Sequence, residues 1–158
     1  MTLGEEIVEL ALEHLGEEYA LGVMVPMHDE NWNGPWDCAE FVSWVVFQST
    51  GILYGTKYDT NTLLSDAYTG YWGRQAEADD ARISIDKAAG IAGACILRKP
   101  SPEIRGHIVI SDGRGGTIEA HSRRRGVVQE SLHHRNFDYG ILVPEVKYTH
   151  HCQLKAVG

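Results

Sequence analysis

The first hydrophobic pattern in the chain is that of an amphipathic helix at the amino terminus. Thr2 and Glu5 have the spacing of a capping box, in which each side chain bonds the backbone N–H of the other and fixes the start of a helix. Apolar residues then recur at helical spacing until Gly16, at Leu3, Ile7, Leu10, Ala11 and Leu15. The pattern predicts a helix with one buried face.

A second, more uniformly apolar helix is predicted after a long ordered loop. Residues 23–36 form the loop, because they are rich in Pro, Asp and Asn. Its two tryptophans either wall a groove or pin the loop to the core. Residues 38–47 are apolar on nearly every side, which favours a buried helix. We expect Asp37 to be its N-cap, Cys38 its first residue and Gly51 its end.

The patterning changes from helical to strand-like at Gly93. Before it, apolar spacing within residues 60–89 indicates a third helix and then a short helical turn near Asp86. The residues of the third helix pattern are Leu63, Leu64, Ala67, Tyr68, Tyr71 and Trp72. Beyond Gly93, apolar runs alternate with turn signals at residues 94–97, 107–111, 117–120, 127–129 and 139–143. This order predicts an α+β fold, with one helical layer on an antiparallel sheet of about five strands.

Length and charge restrict the class of protein. A chain of 158 residues is expected to form a single domain, residues 1–158, whose core needs no metal or disulfide. Its 14 Lys and Arg against 22 Asp and Glu give a net charge of -8, which disfavours nucleic acid and anionic membranes as partners. The one basic cluster, Arg123 to Arg125, is typical of a solvated loop.

The amino terminus and the hydropathy bear on localisation. The first six residues are acidic where a signal peptide is basic, and no stretch approaches the ~18 apolar residues of a membrane span. We therefore expect a cytoplasmic, monomeric protein. Export by another route, or a place within a larger protein, stays open.

Three cysteines at wide spacing, Cys38, Cys95 and Cys152, argue against a disulfide framework or a zinc knuckle. Two histidine clusters, His133-His134 and His150-His151-Cys152, are not expected to form a metal site. No metal or organic cofactor is predicted.

Cys38 is the first candidate for chemistry. At the first turn of a helix, unpaired N–H groups and the helix dipole favour a thiolate, the nucleophilic form of cysteine. Asp37 and Glu40 oppose this effect, so a cationic partner is expected to hold the thiolate. The alternative is a small buried side chain without a chemical role.

A predicted hairpin supplies the second and third candidates. Strand alternation places His107 on the same face as Glu119 and His121 of the return strand. A register with pairing sum 226 sets His107 opposite Glu119, and a sum of 228 sets it opposite His121. Either residue is suited to orient the imidazole by accepting its Nδ1 proton, as in a nucleophile, base and orienter triad. The alternative for His107 is a structural hydrogen bond.

Together these segments resemble the NlpC family of papain-like cysteine peptidases, which act on bacterial cell-wall peptides. The matching motifs, in order, are Tyr19-Ala20-Leu21-Gly22, Trp36-Asp37-Cys38-Ala39-Glu40-Phe41-Val42, residues 90–97, Gly106-His107-Ile108-Val109-Ile110 and Ile118-Glu119-Ala120. The family pattern has Ser and Gly where this chain has Ala39 and Glu40. Glu119 stands twelve positions after His107, at the family's third catalytic position.

The resemblance implies a papain-like fold and a thiol hydrolase that cuts an amide bond in peptidoglycan stem peptides, between γ-D-glutamate and a diamino acid. It implies Cys38 as nucleophile, His107 as base and Glu119 as orienter, with Tyr19 and Asp37 near the amino end of the substrate. The Cys38 N–H is the expected oxyanion donor. The alternatives are a related cell-wall amidase and an inactive binding module that keeps the groove.

Overall fold

The computed structural model describes residues 1–58 and 60–149, which contain four helices and six strands. The helices are α1 (Leu3–Leu12), α2 (Cys38–Thr50), α3 (Thr69–Ala78) and α4 (Ile85–Ala89). The strands are β1 (Arg82–Ile83), β2 (Cys95–Arg98), β3 (His107–Ser111), β4 (Gly116–Ser122), β5 (Gly126–Ser131) and β6 (Tyr139–Ile141). None of these helices has the length and apolar character that crossing a membrane requires.

The two amino-terminal helices begin where the sequence predicts. In α1 the Thr2 N–H donates to Glu5 Oε1 at 2.9 Å, and the Glu5 N–H donates to Thr2 Oγ1 at 3.2 Å, which completes the capping box. In α2 the Asp37 carboxylate accepts the Glu40 N–H at 2.8 Å. Helix α2 ends at Thr50, and its C-cap is Gly51, whose φ of 78° suits glycine. Cys38 is therefore the first residue of a capped, buried helix.

The third helix starts later than the apolar spacing predicts. Helix α3 begins at Thr69, while Leu63 and Leu64 lie in the preceding loop with 68% and 56% of their surfaces exposed. A bond from the Ala67 N–H to the buried Glu40 side chain holds this loop in a non-helical path. A contact with a distant residue thus overrides the local pattern.

The six strands form one sheet in the order β1-β6-β2-β3-β4-β5, and each neighbouring pair is antiparallel. The prediction of an antiparallel sheet is confirmed, with one strand more than expected. The extra strand, β1, is two residues long and pairs with β6 at the sheet edge. Such a short segment carries no periodic signal.

Both faces of the sheet are covered, whereas the sequence predicts a helical layer on only one of them. Ile108 and Ile118 pack with α1 and α2 in the main core. Ile96 and Val109, on the opposite face, form a second cluster with α4 and with Leu132 and Phe137 from the segment after β5. By strand alternation, His107 and Glu119 share this second face. The segment after β5 therefore covers the face on which these two polar side chains lie.

Candidate active site

Cys38 lies at the amino end of α2, where its surroundings favour the protonated thiol over the thiolate. Burial, and after it the nearby Asp37 charge, raise the pKa of Cys38 to about 12. Backbone N–H groups of Ile108, Ala39 and Cys38 itself lower it, but not enough to offset burial. The helix terminus alone is therefore not sufficient to form a thiolate at neutral pH, and the need for a cationic partner stays a prediction. Burial outweighs the helix dipole here.

One backbone N–H beside the sulfur has no oxygen acceptor in the described part of the chain. In the first turn of α2 the Glu40 N–H is taken by the Asp37 side chain, and the Phe41 N–H by the Asp37 carbonyl. Within the described residues, the Cys38 N–H donates to no oxygen. This donor stands beside the thiol at the positive end of the helix dipole, where it is suited to stabilise negative charge.

His107 and Glu119 are joined directly across the hairpin. Ile110 pairs with Ile118, so the register has the pairing sum of 228. Continued along the strands, this register sets His107 opposite His121, and their ring centroids are 6.3 Å apart. The hydrogen bond nevertheless runs diagonally, from His107 Nε2 to Glu119 Oε1 at 2.9 Å. The expected partner is Glu119, but the nitrogen is Nε2 and not the predicted Nδ1.

Glu119 is fully buried and is held by three side chains. Arg135 makes a bidentate pair with it, at 2.9 Å from Nη1 to Oε2 and 2.7 Å from Nη2 to Oε1. The Thr117 hydroxyl donates to Oε2. Burial raises the pKa of Glu119, yet the bonds from His107, Arg135 and Thr117 more than offset this and bring it to about 2. Glu119 is therefore a carboxylate at neutral pH.

An ionised Glu119 fixes the tautomer of His107. Because the carboxylate has no proton to donate, the hydrogen of the Nε2···Oε1 bond belongs to the imidazole. In the neutral ring, Nδ1 then carries the lone pair and is the atom suited to accept a proton. Phe137 stacks near the ring, with centroids 6.4 Å apart and planes at 29°. The imidazole is thus held by a carboxylate and by an aromatic neighbour.

Two cavities meet at Cys38. One, of about 640 Å³, is lined by Cys38 and His107 together. The other, of about 420 Å³, is lined by Cys38 but not by His107. Tyr19 lines both cavities, and Asp37 lines the smaller one. The structure therefore brings all five sequence-predicted residues to one cleft, with Glu119 supporting His107 from beneath.

The two predicted substrate-binding residues differ in charge. Burial raises the pKa of Asp37 to about 6, and its bonds from backbone N–H groups limit the rise, so this side chain is ionised only above that pH. Burial also raises the pKa of Tyr19 to about 12, helped by the nearby Cys38 and Asp37. Tyr19 therefore keeps its hydroxyl proton and is a hydrogen-bond donor in the cleft.

Known proteins match this chain in structure but not in sequence. No protein-family model and no curated protein matches it. Among solved structures, the NlpC/p60 domain of the peptidoglycan hydrolase SagA has a TM-score of 0.62 and 24% identity, over 89% of this chain and 98% of that one. The peptidoglycan hydrolase RipB from Mycobacterium tuberculosis has a TM-score of 0.64 and 15% identity, over 92% and 66%. This is an NlpC/p60-type fold. An NlpC protein from Trichomonas vaginalis matches at 0.60 and 18%, and this chain spans 45% of it.

Where the NlpC motif has Gly, this NlpC/p60-type fold has a buried structural carboxyl group. Glu40 is fully buried, and its two oxygens accept the Val25 N–H at 2.9 Å and the Ala67 N–H at 3.0 Å. Burial raises the pKa of Glu40 to about 8, assisted by the charges of Asp37 and Asp66 and reduced by the two backbone bonds. Glu40 thus links the two loops that follow α1 and α2, and the second of these lines the smaller cavity at Ala67.

The tryptophans of the loop before α2 belong to the core. Trp36 is fully buried and donates to Glu17 Oε1 at 2.8 Å, and Trp32 donates to the Pro35 carbonyl at 3.1 Å. Neither lines a cavity at Cys38. Of the two roles that the sequence left open, they take that of pinning the loop.

Metal-ligating side chains do not cluster within residues 1–58 and 60–149, where no group of three His, Cys, Asp or Glu could hold an ion. His133 and His134 stack with ring centroids 3.9 Å apart. The second cluster, His150-His151-Cys152, lies outside the described residues.

Sequence reasoning missed Arg135. The side chain comes from the segment after β5, sixteen positions from Glu119, and no local pattern connects the two. A buried glutamate predicted beside a histidine is itself a signal, because a carboxylate in the interior requires a cation or several donors.

Arg135→Met should destabilise the protein strongly, because it leaves the Glu119 carboxylate buried without its counter-ion. We expect the free energy of unfolding, measured by urea denaturation, to fall by about 3 kcal/mol or more. Adding Glu119→Gln should restore part of the loss, since the buried charge is then gone. The control is Arg125→Met, which breaks the exposed Arg125–Glu130 pair. A loss in Arg135→Met no greater than in Arg125→Met would contradict the assignment.

The raised pKa of Cys38 predicts how its alkylation depends on pH. In the folded protein the rate of reaction with iodoacetamide, followed by peptide mass spectrometry, should rise about tenfold per pH unit from about pH 7 to about pH 10. The unfolded chain is the control, where the rate should level off above about pH 8.5. A plateau below about pH 8 in the folded protein would mean that the thiolate is already formed.

Proposed function

We propose that this protein is a thiol hydrolase that cuts an amide bond in peptidoglycan stem peptides, between γ-D-glutamate and a diamino acid. The observation that carries the proposal is the arrangement at the cleft. Cys38, at the start of α2, and His107, oriented by the buried Glu119, line one cavity. A nucleophile, a base and an orienting carboxylate in one place are the requirements of acyl transfer.

In the proposed reaction the thiol is activated when substrate binds. His107 Nδ1 accepts the Cys38 proton as the sulfur attacks the amide carbonyl, and a tetrahedral oxyanion forms. The imidazolium then gives this proton to the leaving nitrogen, the C–N bond breaks, and a thioester remains. Water attacks the thioester while His107 takes one of its protons, the C–S bond then breaks, and the imidazolium returns the proton to the sulfur. The products are a carboxylate and an amine, and the Cys38 thiol is restored.

Three groups beside Cys38 have complementary tasks in this mechanism. The Cys38 N–H is free to bind the oxyanion. Tyr19, protonated at neutral pH, adds a hydroxyl donor on the cleft wall. Asp37 places a carboxylate in the smaller cavity, where it is suited to bind the free ammonium at the amino end of a stem peptide.

The fold neighbours support the substrate class. SagA and RipB are both named peptidoglycan hydrolases. Since one fold hosts several activities, the bond itself is inferred from the NlpC-like motifs and from the cleft.

Mass spectrometry of purified peptidoglycan fragments after incubation tests the function. A γ-D-glutamyl endopeptidase should release peptides with a new amine on the diamino acid, and Cys38→Ala should release none while it stays folded. A new amine on the first amino acid of the stem would replace this proposal by an amidase. Tight binding without any new amine would replace it by a binding module.

Substitutions of the two neighbours of His107 on β4, Glu119 and His121, should differ in their effect on turnover. Glu119→Gln removes the charge that orients His107, so we expect turnover to fall about 100-fold or more. His121→Ala should cost less, because no hydrogen bond joins His121 to His107 within the described residues and its nearest polar partner is Ser122 Oγ at 3.1 Å. Steady-state assays on variants whose circular dichroism matches the parent decide the order. The reverse order would remove Glu119 from the catalytic set.

A further inference from the structure

The cavity shared by Cys38 and His107 has a charge opposite to that of the protein. The chain carries a net charge of -8, yet four arginines and two histidines line this cavity: Arg98, Arg105, Arg123, Arg135, His107 and His121. No Asp or Glu is among its lining residues. The larger cavity beside Cys38 is therefore positively charged, although the protein as a whole is acidic.

Three of these arginines are not neutralised. Arg135 is paired with Glu119, so those two charges cancel. In the described parts of the chain, Arg98, Arg105 and Arg123 form no salt bridge. Arg98 Nε donates to the Arg105 carbonyl, which occupies one N–H donor but does not neutralise the charge. The cavity thus keeps three free guanidinium groups, the side chain best suited to bind carboxylates.

The chemistry of amide hydrolysis tells which part of the substrate enters this cavity. The proton that His107 takes from the thiol has to reach the leaving nitrogen, so the leaving group lies on the His107 side. The smaller cavity, which His107 does not line, is then left for the acyl part. Its charged lining residues are the acidic Asp37 and Glu103 and the basic Arg105, which lines both cavities.

We propose that the larger cavity binds a carboxylate of the leaving group, with Arg98, Arg105 and Arg123 as its cationic partners. The inference rests on the proposed function for the direction of the substrate. The preferred substrate is then an amide whose leaving amino acid carries a free carboxylate, either as its own carboxyl end or on its side chain. An amino acid places its α-carboxylate one carbon from the scissile nitrogen, which is within the reach of this cavity.

One residue of the basic loop also lines this cavity. Arg123 and Arg124 are both exposed, as the sequence indicates for Arg123 to Arg125, and Arg123 also lines the cavity. Arg125 instead pairs with Glu130 at 2.7 Å. Arg124 is exposed and lines neither cavity at Cys38. Adjacent arginines of one loop therefore provide a site residue and a matched control.

The test compares two alkylating reagents on the folded protein. Iodoacetate is an anion and iodoacetamide its neutral analogue, so the ratio of their rates at Cys38 reports the local potential, independently of any peptide substrate. A change in the Cys38 pKa affects both reagents alike and cancels in the ratio. Arg105→Gln and Arg123→Gln should each lower the ratio about two- to fivefold at low salt, and Arg124→Gln should leave it near the parent value. Added salt should reduce the parent ratio.

A peptide pair completes the test. Alanyl-γ-D-glutamyl-lysine with a free carboxyl end should be cut faster than its carboxamide, and Arg123→Gln should narrow the difference. If Arg123→Gln lowers the ratio of the iodoacetate rate to the iodoacetamide rate but neither peptide is cut, the anion site stands and the proposed bond is rejected. Equal cleavage of both peptides, or ratios that Arg124→Gln changes as much as Arg123→Gln, would overturn the anion site and leave the hydrolase proposal standing.

Discussion

The candidate active site depends on one buried carboxylate. Removing Glu119 from water costs free energy that only close donors offset, and the structure supplies the Arg135 guanidinium, the Thr117 hydroxyl and the His107 Nε2–H. The hydrogen bond that each donor makes to the Glu119 carboxylate also fixes the position of that donor. Arg135 brings the segment after β5 over the sheet, and His107 is left with Nδ1 as its basic atom. The buried charge of Glu119 is therefore the common cause of the stable packing of this segment and of the His107 tautomer.

A second buried glutamate shows how strongly the partners decide the charge state. Glu40 is as buried as Glu119, but its bonding partners are the backbone N–H groups of Val25 and Ala67 and include no cation. Its pKa is raised to about 8, whereas that of Glu119 is lowered to about 2. Two glutamates in one core thus have different tasks, since Glu119 carries a permanent charge and Glu40 ties loops together.

Features with a local physical cause could be predicted from the sequence. The start of α2 at Cys38 follows from the Asp37 cap, and the His107 hairpin follows from strand alternation and its glycine turn. The start of α3 could not be predicted, because a distant carboxyl group holds the loop before it. Arg135 and the cavity arginines were missed for the same reason. Their neighbours come from loops whose paths only the packed sheet determines.

Apart from Arg105, which lines both cavities, the charged side chains at the two ends of the cleft have opposite signs, and this constrains the direction of any peptide in it. Asp37 gives the smaller cavity a carboxylate, and Arg98 and Arg123 give the larger one unpaired cations. A peptide with a free ammonium at one end and a carboxylate at the other is attracted in one direction and repelled in the reverse one. In the proposed reaction, only the attracted direction sets the leaving nitrogen beside His107. The charges around Cys38 therefore select an orientation as well as an affinity, and orientation is what the proton transfer requires.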